Sequence, residues 1–287
     1  LHLSIRRQRQ MCIRDRDIIF VSGGVPLDIP LLQEARAKDI PLSNDSQLVL
    51  EQLPCKVVGI TGSSGKTTTT LLVGKIIAAS QNYRNVWVGG NVGNPLLLDI
   101  CQMTDEDIAI MEMSSFQLAI MTSSPNIAGV LNVSPNHLDR HTNMHEYVTD
   151  KQKILDSQQS DDVAVLGWDD EITRAMSDRV RGHCWGFSMD SNANFDDGCF
   201  IENETIMLRH NGVTNSIMAC QDVRLLGAHN LMNVMAASTL AAASGVEIDA
   251  IQAGISDFDG VIIYLLSDLS QYVNGSLISI DGGRAIY

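Results

Sequence analysis

Short apolar segments alternate with longer segments of helical pattern through the middle of the chain. The apolar segments have the length and β-branched content of buried strands and lie at 56–60, 86–88, 108–111, 127–133 and 162–166. Helical patterns lie at about 66–80 and 144–157, and an alanine-rich pattern runs from His229 to Ser244 before Gly245. This alternation indicates βαβ units and therefore predicts an α/β fold with a mostly parallel sheet flanked by helices.

Residues 199–219 have a different pattern. Two strand-like runs flank Asn211 and Gly212, a pair that favours the tight turn between antiparallel strands. The sequence therefore predicts one hairpin in this region.

The composition is that of a globular protein with one large domain or two ordinary ones: 287 residues, 45% hydrophobic and 19% charged. A formal net charge of −14 argues against a nucleic-acid partner, but it permits a local basic pocket for a phosphorylated small molecule. No stretch approaches the roughly 18 uncharged apolar residues of a membrane span, so we expect no membrane insertion. The six cysteines are scattered without a C-x-x-C pair, which indicates reduced thiols in a cytoplasmic protein.

Both ends of the chain differ from its middle. Residues 1–16 contain five arginines, but they lack the serines of a transit peptide and the apolar core of a secretory signal. We expect this stretch to be extraneous or misread. From Val261 the sequence consists of two apolar runs that end abruptly, so we expect a fragment, truncated or garbled at both ends.

A glycine-rich segment with the pattern of a phosphate-binding loop follows the first of these strands. Glycines let backbone N–H groups approach a phosphate closely, and a helix beginning at Lys66 adds a favourable partial charge. In this pattern Lys66 reaches the β- and γ-phosphates and the Thr67 hydroxyl binds Mg²⁺. The segment departs from G-x-x-x-x-G-K-[ST] at Ile60, where the first glycine would stand, and the alternative is a glycine turn with an exposed lysine. The candidate loop residues are Gly62, Ser63, Ser64, Gly65, Lys66, Thr67 and Thr68.

Polar side chains also follow the next two predicted strands. Asn91 lies in a Gly-Gly-Asn segment, for which a plain strand-to-helix turn is the alternative. Glu112 ends its strand where a carboxylate would face the crevice of a parallel sheet and could hold Mg²⁺; the alternative is a solvated side chain. Ser114 follows in the run M-E-M-S-S-F-Q-L.

The fourth strand leads into N-V-S-P-N-H-L-D-R-H, which contains His137, and Lys151 follows in the next predicted helix. Alone, His137 fits a capping or surface role, and Lys151 fits an ordinary solvated lysine. Four candidate groups after four consecutive strands are, however, rare by chance. We therefore predict that these groups form one site at the carboxyl edge of the sheet.

Taken together, these motifs resemble the Mur ligase family. The matching motifs are T-G-x-x-G-K-T, G-G-N-x-G-x-P, M-E-M-S-S-F-Q-L, N-V-S-P-N-H-L-D-R-H with Y-x-x-x-K, and L-G-A-H-N-L-M-N. The resemblance covers about residues 20–260. Within the family, the S-S-F-Q-L run is similar to the branch that adds D-glutamate to UDP-N-acetylmuramoyl-L-alanine.

The resemblance implies a division of the chain into parts of a three-domain ligase. Residues 17–53 would be the tail of an N-terminal UDP-binding domain, 54–257 the central ATP-binding domain, and 258–287 a truncated or garbled start of the C-terminal domain. The outer two domains would be Rossmann-like remnants. Where the family has a proline and a His-Arg pair, this chain has Ile262-Ile263-Tyr264, so we expect the chain alone to be an incomplete enzyme.

The resemblance also implies the chemistry, which is ATP-dependent amide formation through an acyl phosphate, with Mg²⁺. Lys66 and the loop would hold the phosphates, Thr67 and Glu112 would bind one Mg²⁺, and His137 would bind a second. Lys151 would be carbamylated by CO₂ and become a metal ligand. That modification needs a deprotonated amine, which burial and nearby cations favour.

Four asparagine and serine residues complete the implied site. Asn91 and Ser114 would line the substrate side, and Asn230 and Asn233 would lie near the adenine. A helix cap at Asn230 and a polar helix face at Asn233 are the alternatives. Two other functions stay open: a folylpolyglutamate synthase-like ligase, and a non-catalytic nucleotide-binding fragment. We expect a monomer.

Overall fold

A small parallel sheet and two helices form the N-terminal part of the structure, a computed structural model that describes residues 17–23, 25–91, 96–134, 143–225 and 227–258. Strand β1 (Ile19–Phe20) pairs in parallel with β2 (Leu42–Ser43), and helix α1 (Pro30–Ala37) lies between them along the chain. Helix α2 (Asp45–Gln52) follows β2 directly. The side chain of Asn44 caps α2, because it accepts a hydrogen bond from the Gln47 N–H.

The main sheet has nine strands within the described residues. They are β3 (Lys56–Thr61), β4 (Val86–Gly90), β5 (Ile108–Glu112), β6 (Ile127–Val130), β7 (Val163–Gly167), β8 (His183–Ser188), β9 (Asp197–Glu202), β10 (Thr205–His210) and β11 (Val213–Ala219).

The strand order of the main sheet creates a crevice at the carboxyl end of β3. The order is β11-β10-β9-β8-β7-β6-β3-β5-β4. Neighbours from β4 to β9 are parallel, whereas β9, β10 and β11 are antiparallel. The chain visits β4 and β5 on one side of β3 and then crosses to β6 on the other, which opens a crevice between the strand ends. The predicted α/β fold with a mostly parallel sheet is confirmed.

Helices cover both faces of the main sheet. They are α3 (Lys66–Ser80), α4 (Ser115–Leu118), α5 (Met144–Asp156), α6 (Glu171–Ala175), α7 (Ala228–Ala243) and α8 (Ile248–Ser256), with 3₁₀ turns at Leu96–Leu98, Ile100–Gln102, Met176–Arg179 and Cys220–Asp222. Val58 of β3 packs with α3, α7 and α8, whereas its neighbour Val57 packs on the opposite face with α5. None of the helices in the described ranges has the length and apolarity to cross a membrane.

Two features of the sheet differ from the predictions. Strand β8 was not predicted, because Gly186 interrupts its apolar pattern; a Cβ atom there would lie 2.4 Å from the Phe195 ring, so the strand needs this glycine. The expected single hairpin is a three-stranded meander. Its additional turn joins β9 to β10 and has positive φ at Asn203 and Glu204. Because neither residue is a glycine, the usual sequence signal of such a turn is absent.

One strand is shorter than predicted, and the reason bears on the site. The fourth strand, expected to reach Val133, ends at Val130. Beyond it the Leu131 N–H still bonds to the Thr61 carbonyl, and the chain then turns toward the loop after β3. The predicted segments 56–60, 86–88, 108–111 and 162–166 are confirmed as strands with bounds that differ by one or two residues.

A buried carboxylate fixes the segment before β5. Asp107 is fully buried and accepts two hydrogen bonds of 2.9 Å from the Arg84 guanidinium. The Thr104 N–H donates at 3.0 Å and the Trp87 indole at 3.3 Å. These donors, the Arg84 hydrogen bonds first among them, hold the pKa of Asp107 well below its usual range.

Replacing Asp107 by asparagine is expected to lower the free energy of unfolding by about 2 kcal/mol at neutral pH, because the amide keeps only one acceptor oxygen and lacks the charge that pairs with Arg84. The folded pKa lies below the unfolded value of about 3.9, so this contribution is complete above that value and is lost as the pH falls through the folded pKa. Urea unfolding should therefore show wild type and Asp107→Asn converging below about pH 4. Asp105→Asn, at an exposed neighbour, is the matched control. A difference that stays constant with falling pH would contradict the charge-based explanation.

Candidate active site

The glycine-rich loop connects β3 to α3 at the carboxyl edge of the sheet. Ile60, at the position of the absent first glycine, is a fully buried strand residue, so the loop begins only after Thr61. Gly65 precedes α3 with φ of +80°, and a Cβ atom there would lie 2.2 Å from Oδ1 of Asn233. Glycine is therefore required at 65, and the loop presents the N-terminus of a 15-residue helix to the crevice.

The segment after β6 braces this loop. The Ser63 N–H donates to the Asn132 carbonyl at 2.9 Å, and the Ser64 N–H donates to Oδ1 of Asn132 at 3.0 Å. Two amides expected to face a phosphate thus bond within the protein. The first amides of α3, at 66–68, have no carbonyl partner inside the helix and are suited to an anion.

Two lysine side chains meet at the carbonyl of Gly62. Nζ of Lys66 donates to this oxygen at 3.0 Å, and Nζ of Lys151 donates to it at 2.8 Å. Lys151 lies in α5, is 1% exposed, and has its Nζ 4.6 Å from the centre of the Tyr147 ring. The alternative of a solvated helix lysine at 151 is therefore wrong.

Both of these lysines have lowered pKa values. Burial lowers the pKa of Lys151 to about 7, with repulsion from Lys66 as the second cause, while Asp150 opposes the shift. Burial also lowers the pKa of Lys66, and the Glu112 carboxylate opposes it. At neutral pH Lys151 is therefore partly a neutral amine, the form that reacts with an electrophile.

Glu112 forms a second polar group beside the loop. The residue is 2% exposed, which excludes the solvated alternative. Its carboxylate accepts hydrogen bonds from the Thr67 hydroxyl at 2.7 Å and from Nδ2 of Asn91 at 3.2 Å. Gly90 pairs with Glu112 in the sheet and has φ of +98°; a Cβ atom there would lie 2.4 Å from the Glu112 carbonyl. The glycine before Asn91 therefore allows β4 to bring that side chain to the carboxylate.

The oxygens of Glu112 and Thr67 fit a Mg²⁺ ion. Magnesium prefers hard oxygen ligands and is commonly held by one or two carboxylates together with phosphate oxygens and water. A carboxylate and a hydroxyl 2.7 Å apart at the start of α3 supply such a pair next to the place of a phosphate. No cluster of three or more His, Cys, Asp or Glu that could hold a metal was found in the described ranges.

A cavity of about 810 Å³ opens beside the two lysines. Lys66, Lys151, Asn91 and Ser114 line it on the main-sheet side, and Phe20 lines it from β1. With Gly62, five of the residues predicted for one site therefore line a single cavity.

Ser114 is fixed by the helix that it starts. It caps α4 in a capping box: the Gln117 N–H donates to Oγ of Ser114 at 3.3 Å, and the Ser114 N–H donates to Oε1 of Gln117 at 2.9 Å. Both residues line the cavity. The position of Ser114 is thus set by its own backbone and by one neighbouring amide.

Asn230 and Asn233 lie on the first turns of α7, with Nδ2 of Asn233 donating to Oδ1 of Asn230 at 3.3 Å. The helix begins after Gly227 without a side-chain cap, so the alternative of Asn230 as the cap is wrong. Asn233 is buried against Gly65 of the loop. The structure therefore brings Asn233 to the phosphate loop, and its adenine contact stays a prediction.

Three of the four predicted strand-end groups follow the adjacent strands β4, β5 and β3. The fourth, His137, lies outside the described residues. Two motif residues were given no role by the sequence: Asn132, which bonds to the loop, and Tyr147, whose hydroxyl lies 3.0 Å from Oγ of Ser63. Tyr147 is the tyrosine of Y-x-x-x-K, and its position one helical turn before Lys151 could have indicated that the two side chains lie together.

A comparison with known protein families finds a match that includes the residues of this site. The sequence profile of the Mur ligase middle domain matches residues 60–241, which is more than half of the chain. The chain belongs to the Mur ligase family.

Relatives in this family match most of the chain. UDP-N-acetylmuramoylalanine–D-glutamate ligase of Symbiobacterium thermophilum is 37% identical over 249 residues, which cover 87% of this chain and 54% of the relative. The enzyme of the same name from Acetivibrio thermocellus is 37% identical over 245 residues, covering 85% and 52%. The chain thus spans about half the length of these Mur ligases.

Solved Mur ligase structures share the fold. A UDP-N-acetylmuramoyl-L-alanyl-D-glutamate–2,6-diaminopimelate ligase aligns with a TM-score of 0.62 at 18% identity, covering 86% of this chain and 62% of that one. MurF from Acinetobacter baumannii aligns with a TM-score of 0.57 at 23% identity, covering 75% and 48%.

Proposed function

We propose that this chain carries the ATP-binding part of a ligase that joins D-glutamate to UDP-N-acetylmuramoyl-L-alanine in peptidoglycan synthesis. The observation that carries the proposal is the convergence of Lys66 and Lys151 on the Gly62 carbonyl beside the Glu112–Thr67 pair. Family membership and relatives named as D-glutamate ligases support the substrate assignment.

The reaction has two steps that need charge neutralisation and alignment. A carboxylate oxygen of the UDP-linked substrate attacks the γ-phosphorus of ATP, the bond to the β–γ bridging oxygen breaks, and ADP leaves an acyl phosphate behind. The amine of D-glutamate then attacks the acyl carbon, and phosphate leaves as the amine loses a proton. Both steps bring anions together, which a cationic, water-poor site favours.

The described residues of the site have different proposed roles in these two steps. Lys66 and the start of α3 would bind the phosphates, and Asn91 and Ser114 would contact the substrate. Mg²⁺, when bound by Thr67 and Glu112, would offset the charge of the phosphate oxygens.

From the same geometry we also propose that Lys151 is carbamylated. The Lys151 ammonium would first lose one proton; the neutral amine would then attack CO₂, form a carbon–nitrogen bond and release a second proton, so that an anion replaces a buried cation. Such a carboxylate would line the same cavity as Lys66 and would be available as a further metal ligand. The buried position and the pKa of about 7 favour the neutral amine that this step requires.

The division into domains belongs to the same proposal. We assign residues 17–53 to a UDP-binding domain and 54–257 to the central ATP-binding domain. We also propose that the protein is a monomer and works in the cytoplasm, where ATP and the nucleotide-linked sugar would be available.

A coupled assay of phosphate release by the full-length protein tests the proposal. Release should require ATP, UDP-N-acetylmuramoyl-L-alanine and D-glutamate together, and L-glutamate should not replace the D-isomer. Release with a folate and glutamate instead would identify a folylpolyglutamate synthase-like ligase. Binding of Mg-ATP without turnover of either pair would indicate a non-catalytic nucleotide-binding protein.

A further inference from the structure

The first turn of α2 buries polar side chains in place of apolar ones. Asn44, Ser46 and Gln47 are 1%, 2% and 3% exposed, although each carries hydrogen-bonding groups that are costly to bury unpaired. All three bond to the segment 114–123, which contains the Ser114 turn. The turn thus joins the N-terminal part to one wall of the cavity.

Gln47 holds the far end of that segment. Its Oε1 accepts hydrogen bonds from the N–H groups of Thr122 at 2.9 Å and Ser123 at 3.2 Å. Its Nε2 lies 3.1 Å from the Thr122 hydroxyl and 2.9 Å from the Ser123 hydroxyl, and it also contacts the Glu51 carboxylate one helical turn away. One side chain therefore fixes two consecutive backbone amides.

Asn44 and Ser46 hold the near end through Gln117. Nδ2 of Asn44 donates to the Gln117 carbonyl at 2.8 Å, and Nε2 of Gln117 donates to Oγ of Ser46 at 2.8 Å. The remaining amide oxygen of Gln117 accepts from the N–H and from the hydroxyl of Ser114, both at 2.9 Å. The orientation of Ser114 is thus tied to α2 by an unbroken series of hydrogen bonds.

We propose that the first turn of α2 is a positioning element that sets the substrate wall of the cavity. Asn44 and Ser46 hold Ser114 through Gln117, and Gln47 anchors the far end of the same segment at residues 122–123. Asp45, in the same turn, lines the cavity itself, so the turn and the wall meet at the substrate side. This inference rests on the proposed function, in which that wall contacts the UDP-linked substrate.

The nucleotide side is braced by different residues. The phosphate loop bonds to Asn132 after β6 and to Tyr147 in α5. Loss of the Gln47 contacts should therefore loosen the Ser114 wall while the loop keeps its braces. This separation allows a positioning role to be distinguished from a general effect on stability.

Gln47→Ala in the full-length protein is the first test variant, with amide hydrogen exchange as the first readout. The N–H groups of Thr122 and Ser123, which donate to Gln47, should exchange about tenfold faster or more. Those of 114–118 should follow, because their segment is no longer anchored at its far end, while those of α3 keep their protection. Gln52→Ala, the same substitution at an exposed position of the same helix, is the matched control and should leave both segments unchanged.

The second readout is calorimetric binding of UDP-N-acetylmuramoyl-L-alanine and, separately, of Mg-ATP. Gln47→Ala should raise the Kd of the UDP-linked substrate about tenfold and leave the Kd of Mg-ATP unchanged. The double variant Gln47→Glu with Glu51→Gln exchanges the two end groups. The glutamate at 47 can accept from the N–H groups of Thr122 and Ser123, and the glutamine at 51 can donate to that glutamate. The double variant should therefore restore exchange protection and affinity.

Each outcome decides the inference. Unchanged protection of 114–118 in Gln47→Ala, equal loss of affinity for both ligands, or no recovery in the exchanged pair would each overturn it. If wild type does not bind the UDP-linked compound, the proposed function fails instead. The exchange experiment then still tests whether Gln47 holds the wall.

Discussion

Alanine in place of Lys66 is expected to weaken binding of Mg-ATP by about a hundredfold or more, which removes the heat signal at ordinary concentrations. A charge-assisted hydrogen bond to a phosphate contributes about 1.5–3 kcal/mol, and 2.7 kcal/mol corresponds to roughly a hundredfold. The effect should be at the upper end, because Lys66 is partly desolvated and its ammonium lies within the loop that would surround the phosphates. Isothermal titration of wild type and variant with Mg-ATP measures it.

Lys75→Ala is the matched control for this prediction. Lys75 lies in the same helix, and its ammonium pairs at the surface with Asp257, away from the loop. It should leave the affinity within about twofold of wild type. Equal Mg-ATP affinity of Lys66→Ala and wild type would remove the phosphate-loop assignment, and a melting curve separates lost binding from lost folding.

Alanine in place of Lys151 is expected to lower turnover of the full-length protein by about a hundredfold, with little change in substrate affinity. The proposed carbamate supplies a negative oxygen ligand beside the phosphates, and truncation removes both that ligand and the amine that would form it. A short-chain carboxylic acid should restore part of the rate, because its carboxylate can occupy the vacated space. Initial rates with and without added acetate measure the loss and the rescue.

The pH dependence adds a second readout. With a pKa of about 7, the neutral-amine fraction of Lys151 rises between about pH 6.5 and about pH 8. In bicarbonate, wild-type activity should rise over this range more steeply than the rescued activity of Lys151→Ala, which needs no amine. Lys153→Ala, two residues further along α5, is the control. Full turnover in Lys151→Ala, or a loss without rescue, would contradict the carbamate proposal.

The sheet and the position of the glycine-rich loop could be predicted because their signals are local. Apolar β-branched runs mark β3, β5 and β6, and the loop motif occupies consecutive positions. Strand β8 could not be predicted, since Gly186 interrupts its apolar pattern and is needed only because the Phe195 ring, from the segment between β8 and β9, packs against it. The extra turn at Asn203 and Glu204 was missed for a related reason, because neither residue is the glycine that usually marks positive φ.

The candidate site could be predicted only in part, because only some of its residues have a local signal in the sequence. Strand order brings Asn91, Glu112 and the loop together, and that follows from the general position of ligands in parallel sheets. The support by Asn132 and Gln47 could not be predicted from one sequence, because each contacts residues far along the chain. Asn132 begins a recognised motif, but the motif does not indicate which residue it contacts, and Gln47 belongs to none of the motifs. The sequence therefore indicated the candidate reactive groups. The hydrogen bonds that hold these groups in place became visible only in the structure.

The long sequence separation of these contacts has a consequence for how the protein folds. Asn132 reaches Ser64 across 68 residues, and Lys151 reaches Gly62 across 89. Contacts between residues so far apart in the sequence form late in folding, because the intervening sheet must be in place first. An unfolded or partly folded chain therefore has no phosphate site. A nucleotide that binds here would bind the native state alone and would raise the apparent melting temperature with its concentration. Thermal stability would then report the level of nucleotide, and the folding of the sheet and the occupancy of the loop would be one coupled equilibrium.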